Sequence, residues 1–309
     1  MLKKIINILK LLIILLAILI IINIILNKNI FVREYKLKNS KITEKFNNYK
    51  IVQLTDIHSI RNEIQSEKII NKIKKQKPNL ICVTGDLIDA EYYSSQNDLY
   101  NYKKIKQIEE LTVAFMKELK KIADTYYIYG NHEMMLLDDP ENNKFKKDLE
   151  ELGIKILNNK IEVVEIDGEK INLIGVQDPA TLYKDEKYAY IEGTNKDRVQ
   201  VILNDLFLGI PEENKNNFTI LLSHRPEYFE LYDKYNIDLA LTGHTHGGIA
   251  KFPMTKGIYA HPQGWFPKYS YGLYKTNDFF MIISGGIGYS KLPIRIFNPP
   301  EICTIILEN

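Results

Sequence analysis

The chain has 309 residues, enough for one large domain or two small ones with a substantial hydrophobic core. It contains 41 lysine and arginine residues against 39 aspartate and glutamate residues, so it lacks the basic balance of typical nucleic-acid-binding proteins. We therefore expect no nucleic-acid partner. Cys82 and Cys303 each lie within an apolar run, which favours buried core positions over a disulfide or a thiolate metal site.

The first element in chain order is a long apolar segment at residues 5–26. Its polar interruptions are Asn7, Lys10 and Asn23. As a helix the segment spans about 33 Å, enough to cross the ~30 Å hydrocarbon layer of a membrane. It is longer than the apolar core of a signal peptide, and no small-residue cleavage site follows it. We predict an uncleaved, single-pass anchor in the cell membrane, preceded by a short basic N-terminus at residues 1–4.

Charges on the two flanks of this segment bear on its orientation. The lysines on the N-terminal side favour a cytoplasmic N-terminus, but basic residues also follow the segment: Lys28, Arg33, Lys36 and Lys38. Positive charges next to a large translocated domain have little influence on orientation. The lysines on the N-terminal side therefore count for more, and they favour an extracytoplasmic folded domain.

The folded domain is predicted at residues 50–309. Residues 27–49 are polar and lysine-rich, so we expect a tether that contains a possible edge strand at FVREYKL. Beyond it, apolar runs of strand length alternate with segments of helical period, as in KIVQLTD followed by SEKIINKIKKQ, which predicts an α/β layered domain. Two strand-like runs flank Asp167-Gly168 and predict a hairpin. The strand-rich last third suggests that the strands are divided between two sheets.

Polar side chains cluster where the predicted strands end. The strand-end residues are Asp56 and His58, Asp86 and Asp89, Asn131 and His132, His224, and His244 and His246. Because ligands of open α/β sheets collect beyond the carboxyl ends of the strands, we expect these side chains to meet. If each segment is extended, residues two apart project to the same face, so each D-x-H or H-x-H pair can aim at one centre.

Glycines accompany these blocks. Gly85, Gly130 and Gly243 precede polar strand-end residues and can adopt the unusual backbone angles of a sharp exit, while Gly247 and Gly248 allow close approach to the backbone. Taken singly, each block also has a structural explanation, such as a helix N-cap for GDLID or a turn for GNHE. Together they predict a metal centre, because side chains of metal-ligand type, namely imidazole, carboxylate or amide, recur at all five strand ends.

The sixth histidine, His261, does not belong to any of these strand-end blocks. We expect it in a solvent-exposed loop, and we expect the aromatic residues around it to serve packing rather than a lid over a lipid-like substrate. These aromatic residues are Tyr259, Trp265, Phe266, Tyr269, Tyr271 and Tyr274.

The ordered blocks D-x-H, G-D-x-x-D, G-N-H-E, a lone histidine and G-H-x-H resemble the signature of the calcineurin-like metallophosphoesterases. They span residues 56–246, and the stretches QGWFPKY and LPIRIFNPPEI are similar to a bacterial, membrane-associated, phosphodiesterase-like branch of that superfamily. One departure is Gly285-Gly286, where that branch often has Arg-Gly. The resemblance implies an α/β fold, a four-layer α-β-β-α sandwich with two mixed sheets, here preceded by one transmembrane helix.

The resemblance also implies a ligand set for two divalent ions that share Asp86. One ion would be held by Asp56, His58, Asp86 and His246, and the other by Asp86, Asn131, His224 and His244. Imidazole, carboxylate and amide ligands without thiolate favour manganese, iron or zinc. By the same resemblance His132 would be the general acid and Asp89 would orient it.

The implied reaction is hydrolysis of phosphodiester or pyrophosphate bonds by a metal-bridging hydroxide. The expected substrate is a phosphorylated small molecule or a lipid-linked molecule, and the expected partner surface is the membrane reached through residues 5–26. A broad-specificity phosphomonoesterase is the alternative enzyme. A catalytically idle, membrane-tethered binding module is the alternative of another class.

Overall fold

Two six-stranded mixed sheets form the centre of the computed structural model, which describes residues 2–89, 99–134, 142–251, 256–261, 263–289 and 294–309. With strands numbered in chain order, the first sheet contains, from edge to edge, β1 (Phe31–Lys38), β14 (Glu301–Glu308), β2 (Lys50–Leu54), β3 (Leu80–Thr84), β4 (Asp124–Ile128) and β5 (Lys155–Ile156). The second contains β12 (Gly272–Lys275), β13 (Phe280–Ile283), β9 (Leu239–Thr242), β8 (Phe218–Ser223), β7 (Glu169–Val176) and β6 (Lys160–Ile166). A separate hairpin pairs β10 (Tyr259–Ala260) with β11 (Gly264–Trp265).

Both sheets combine a parallel centre with antiparallel pairs. Strands β2 to β5 run parallel, as do β7, β8, β9 and β13, while β14 pairs antiparallel with β2 and β6 with β7. The β6–β7 connection turns at Asp167 and Gly168, both with positive φ, which confirms the predicted hairpin. A parallel centre aligns the carboxyl ends of its strands at one edge of each sheet.

Helices cover the outer faces of both sheets. These covering helices are α2 (Glu63–Gln76), α3 (Leu99–Ile122), α4 (Asn142–Glu151), α5 (Asn195–Leu208) and α6 (Phe229–Tyr232), with short 3₁₀ helices at Glu44–Phe46, Pro179–Lys184, Glu212–Asn214 and Pro226–Tyr228. The N-terminal helix α1 (Leu2–Asn27) lies outside these layers. Local signals set their ends: Asn62 caps α2 by accepting a hydrogen bond from Gln65 N, and Thr194 forms a capping box with Asp197 before α5.

Three apolar cores separate four layers. Residues from both sheets meet in the middle core, which contains Ile51, Leu173, Ile220 and the two cysteines, Cys82 and Cys303. Helices α2, α3 and α4 pack on the outer face of the first sheet, and α5 packs on the outer face of the second. The four-layer α-β-β-α sandwich is therefore confirmed, and both cysteines are free and buried, as predicted.

Residues 27–49 are more closely integrated than a tether. Strand β1 lies at the edge of the first sheet and pairs with β14 along its whole length. Ile42 and Phe46 are buried in the core between the sheets. The lysine-rich composition concealed this role, because the buried residues Leu37, Ile42 and Phe46 are widely spaced among polar ones.

Helix α1 extends beyond the sandwich at the N-terminus. It is long and apolar enough to cross a membrane, and none of its described residues is buried. Many large apolar side chains, among them Ile13, Leu16 and Ile25, are therefore exposed. Such a surface is unfavourable in water, and it suits a hydrocarbon environment.

Candidate metal centre

Five strand ends meet at one edge of the two packed sheets. Strands β2, β3 and β4 are neighbours in the first sheet, and β8 and β9 are neighbours in the second. Beneath this edge the Gln53 side chain donates one hydrogen bond to Thr84 Oγ1 and another, 2.8 Å long, to the backbone carbonyl of Thr242. Gln53 thus joins the two sheets directly below the candidate residues.

One cluster contains Asp56, His58 and His246. Their side chains offer ligand atoms that lie within 4.8 Å of one another, and all three residues are buried. His58 Nε2 is 3.1 Å from His246 Nε2, which in turn is 3.5 Å from Asp56 Oδ1. Asp56 is fixed by Thr55 Oγ1 and by the backbone N–H of His244, which both donate to its carboxylate.

A second cluster contains Asp86, His224 and His244, again within 4.8 Å. His224 Nε2 lies 3.2 Å from Asp86 Oδ2 and 3.3 Å from His244 Nδ1. His224 Nδ1 lies 2.8 Å from the carbonyl oxygen of Thr84. Because a carbonyl only accepts, Nδ1 carries the proton in this contact, and the Nε2 lone pair of the neutral ring is available as a ligand.

Asp86 belongs to the second cluster and also approaches the first. Its Oδ2 is 3.2 Å from His224 Nε2 and 3.8 Å from His58 Nε2, so one carboxylate approaches a histidine of each group. Burial lowers the pKa of His224, but Asp86 and Asp56 outweigh it and raise the pKa to about 10. The same negative field favours any cation placed between these residues.

The donors of the site fit a divalent ion. Asn131 Oδ1 and His244 Nε2 are buried and have no hydrogen-bond partner among the described residues. Buried polar atoms without a partner destabilise a fold unless a bound ligand interacts with them. Imidazole nitrogens, carboxylate oxygens and an amide oxygen, without a thiolate, form a donor set for manganese, iron or zinc.

His132 lies beside both clusters. Its Nδ1 is 3.5 Å from Asp89 Oδ1, its Nε2 is 4.0 Å from Asp86 Oδ2, and its ring meets that of His58 edge-on at 4.5 Å. Its backbone N–H donates to Asp86 Oδ1 at 2.9 Å. Burial lowers the pKa of His132, but Asp86 and Asp89 outweigh it and raise the pKa to about 9. His132, Asp89 and His58 also satisfy the spacing of a metal site, so geometry alone leaves two roles for His132.

The backbone at these positions is not extended. Positive φ angles occur at Asp56 (47°), His58 (52°), Asp86 (50°), His244 (67°) and His246 (48°). The expectation that extended H-x-H geometry aims both histidines at one centre is therefore wrong for His244 and His246, which join different clusters. Left-handed backbone at non-glycine residues is unfavourable, and its concentration here is typical of a functional site.

Two of the three glycines that precede candidate ligands are needed for a reason other than the expected backbone freedom. Of Gly85, Gly130 and Gly243, Gly85 alone has a left-handed φ, at 92°. A Cβ on Gly130 would lie 2.3 Å from Asp86 Oδ1, and one on Gly243 would lie 2.5 Å from Asp56 Oδ2. Space beside the carboxylates, more than backbone freedom, therefore excludes a side chain at these two positions.

Glu133 is a residue that sequence reasoning left without a role. Its buried carboxylate accepts hydrogen bonds from the backbone N–H groups of Asp86, Leu87, Ile88 and Gly130. It therefore fixes the loop after β3 to the loop after β4, and with it Asp86. The position of Glu133 in the GNHE motif pointed to a role at the site. Its four backbone donors could not be predicted, because three of them lie in the distant loop after β3.

The loop around His261 divides into packed and exposed residues. His261 is exposed, as expected, although its ring centroid lies 6.4 Å from that of His244. Tyr269 is buried and stacks on Phe229. Trp265 and Phe266 instead remain 71% and 79% exposed, so the packing expected of the aromatic residues does not extend to them.

Comparison with known proteins places this geometry in a family. The sequence model of the calcineurin-like phosphoesterases matches residues 49–248. The chain is 27% identical over 286 residues to the metallophosphoesterase YkuE of Bacillus subtilis, covering 89% of this chain and 85% of that one. It is 29% identical to the metallophosphoesterase Cj0846 of Campylobacter jejuni, covering 92% of this chain and 65% of that one.

A third relative is named as a membrane protein. The chain is 27% identical to a "transmembrane protein with metallophosphoesterase domain" of Danio rerio, covering 87% of this chain and 55% of that protein. The chain thus spans less than two thirds of the Campylobacter and Danio proteins. Among solved structures it is similar to the NAD nucleotidase of Haemophilus influenzae, with 16% identity, a TM-score of 0.43, and coverage of 77% of this chain and 45% of that one. The chain belongs to the calcineurin-like phosphoesterases, a family of metal-dependent phosphoester hydrolases.

Proposed function

We propose that the protein is a membrane-anchored phosphoesterase that binds two divalent ions and hydrolyses phosphodiester or pyrophosphate bonds. The observation that carries the proposal is the position of Asp86 between two buried clusters of ligand type. In this proposal one ion is held by Asp56, His58, Asp86 and His246, and the other by Asp86, Asn131, His224 and His244. Ions of the manganese, iron or zinc class suit these donors.

The residues of the chain would divide the chemistry among them. Two ions bound at these positions would supply an activated water and neutralise charge on the phosphoryl oxygens. His132, held through Nδ1 by Asp89, would donate a proton from Nε2 to the departing oxygen. In this role Asp89 is a positioning residue, since it faces the imidazole. Glu133 and Thr55 would keep Asp86 and Asp56 in place through hydrogen bonds.

The anchor in this proposal is helix α1, and two asparagines join it to the domain. The Asn23 and Asn27 side-chain amides both donate to the backbone carbonyl of Arg295, at 3.0 and 2.7 Å, and Asn23 Oδ1 accepts from Phe297 N. Asn298, one residue further on, donates to the backbone carbonyl of His246 at 2.6 Å. A short hydrogen-bonded path therefore runs from the helix to the candidate metal centre.

On the side of α1 that contacts Arg295, the neighbouring surface carries exposed apolar residues. Ile294 and Ile296 are 51% and 43% exposed. Ile296 pairs with Ala250 in a β-bridge, the Ala250 carbonyl accepts from Ile258 N, and the Ile258 carbonyl accepts from the backbone N–H of the exposed Phe266. Exposed apolar side chains next to a membrane-spanning helix suit contact with the bilayer surface. This placement favours a phosphorylated lipid-linked substrate. The lysines at the N-terminal end of the helix favour a cytoplasmic N-terminus, and we therefore propose an extracytoplasmic domain.

Hydrolysis of two model esters tests the proposed activity. Full-length protein in detergent with added manganese should hydrolyse bis-p-nitrophenyl phosphate faster than p-nitrophenyl phosphate. Faster cleavage of the monoester would assign a phosphomonoesterase instead. An absence of activity on both esters, with metal bound, would favour the idle binding module.

A further inference from the structure

A cavity of about 780 Å³ lies where helix α1 leaves its apolar stretch and meets helix α2. Its walls include Asn27 and Lys28 at the end of α1, one face of α2, and the loop at Ile287 and Tyr289. It is separate from the two ligand clusters, since no residue of either lines it.

The charge of the cavity is one-sided. No aspartate or glutamate is among the lining residues that the structure describes. Five cationic residues line the cavity: Lys28, Arg61, Lys68, Lys72 and Lys75. Arg61 approaches Asp89 Oδ2 at 4.0 Å, but within the described ranges no carboxylate lies within 4.0 Å of the four lysine ammonium groups. In a chain whose net charge is +2, this concentration of positive charge is local.

The α2 lysines are presented by a helix that is already packed on its other side. Ile69, Ile70 and Ile73 bury that side against the first sheet. Lys68, Lys72 and Lys75 recur at helical spacing on the cavity side, together with Ile64, which is 66% exposed. A basic helix face is ordinarily solvated and needs no ligand. What indicates a ligand here is the position of this face.

That position is the exit of helix α1. Asn27 both lines the cavity and donates to the Arg295 carbonyl, so the end of the helix is fixed to the domain beside the cavity. If α1 spans a bilayer, Lys28 lies at the membrane surface and the cavity opens at the level of the lipid headgroups. Clustered lysines next to a membrane-spanning helix attract anionic lipids, and the exposed Ile64 offers contact with the upper part of an acyl chain.

We propose that this cavity binds the headgroup of an anionic phospholipid from the membrane leaflet at which α1 ends. The bound lipid would hold the domain against the membrane and is distinct from the hydrolysed substrate. The inference rests on the anchoring part of the proposed function and is independent of the proposed hydrolysis.

Lipid retention by full-length protein tests the proposal. Purified protein in detergent is titrated with phosphatidylglycerol or phosphatidylcholine, and bound lipid is counted by native mass spectrometry. The test variant carries Lys68→Gln, Lys72→Gln and Lys75→Gln. The matched control carries Lys144→Gln, Lys146→Gln and Lys147→Gln, the same charge change on helix α4.

Wild type and control should retain phosphatidylglycerol at least about tenfold better than phosphatidylcholine, and the test variant should lose that preference. Equal retention of phosphatidylglycerol by all three proteins, or no preference in wild type, would overturn the proposal. Full displacement of the lipid by inorganic phosphate at millimolar concentration would also overturn it, because the site would then recognise free phosphate.

Circular dichroism confirms folding, and hydrolysis of bis-p-nitrophenyl phosphate is measured on the same samples. All three proteins should hydrolyse it alike. Lipid preference with no hydrolysis in wild type would reject the proposed activity while leaving this inference in place. Hydrolysis without lipid preference would do the reverse.

Discussion

His132 Nδ1 lies 3.5 Å from Asp89 Oδ1, so a carboxylate engages one nitrogen of an imidazole that stands beside both ligand clusters. The other nitrogen, Nε2, is 4.0 Å from Asp86 Oδ2. This arrangement suits a general acid whose protonated form is stabilised by its neighbours. It also resembles a ligand position, and the two roles predict different behaviour.

Replacement of His132 separates these roles. An alkoxide leaves poorly without a proton, whereas p-nitrophenolate leaves readily. His132→Ala should therefore lose about 10² to 10⁴ in rate on a diester with an alkyl leaving group and much less on a p-nitrophenyl diester of matched charge. Metal content should stay near that of wild type. Equal losses on the two substrates, or loss of metal, would make His132 a ligand or a structural residue.

The pH dependence of the reaction tests Asp89. Burial lowers the pKa of His132, but Asp86 and Asp89 outweigh it and raise the pKa to about 9, which favours the protonated, proton-donating form at neutral pH. Removing the Asp89 charge should lower this pKa, and the alkaline limb of kcat/KM for an alkyl diester should move to lower pH in Asp89→Asn. A metal ion bound to Asp86 would offset the effect of Asp86 on the pKa of His132, so Asp89 would account for a larger share of the increase in that pKa. An unshifted limb in Asp89→Asn would contradict the positioning role.

Glu133 should matter for stability as well as for metal binding. Its two carboxylate oxygens accept from four backbone N–H groups, and in Glu133→Gln an amide nitrogen would face donors in place of one oxygen. We expect a loss of about 1–3 kcal/mol in the free energy of unfolding, together with weaker metal binding. Denaturant unfolding measures the first quantity. Glu162, a half-buried residue of strand β6 whose carboxylate pairs with Lys155, provides the control. Equal effects of Glu133→Gln and Glu162→Gln would disprove the role.

The sequence predicted those features that depend on local pattern. The hairpin at Asp167-Gly168, the buried cysteines and the meeting of polar residues at strand ends each follow from a few neighbouring residues and the periodicity of strands. The fold class followed from the ordered motifs and their resemblance to a family with this architecture.

Features that depend on contacts between distant segments were not predictable. The left-handed backbone at His244 and His246 sends neighbouring ligands to different clusters, which an extended strand end would not do. The need for glycine at Gly130 arises from an Asp86 oxygen in the loop after a different strand, β3. Phe46 enters the core from a segment whose average composition is polar.

Membrane anchoring by helix α1 is open to a direct test. Full-length protein should sediment with membranes and resist extraction by carbonate or high salt, because an apolar helix of this length is stable in the bilayer. Release into the soluble fraction, or a mature N-terminus mapped after residue 26, would contradict the anchor. A reporter fused after Asn309 distinguishes an extracytoplasmic domain from a cytoplasmic one.

The central claim is that Asp86 is shared by two metal ions, and metal content measured in parallel with activity tests it most directly. Wild-type protein should contain two divalent ions per chain and hydrolyse bis-p-nitrophenyl phosphate. Asp86→Ala should lose both ions and nearly all activity, because its carboxylate approaches a histidine of each cluster, whereas Asp56→Ala should lose mainly one ion, because Asp56 is proposed as a ligand of one ion only. Two ions still bound in Asp86→Ala, or a single ion in the active wild-type protein, would contradict the account.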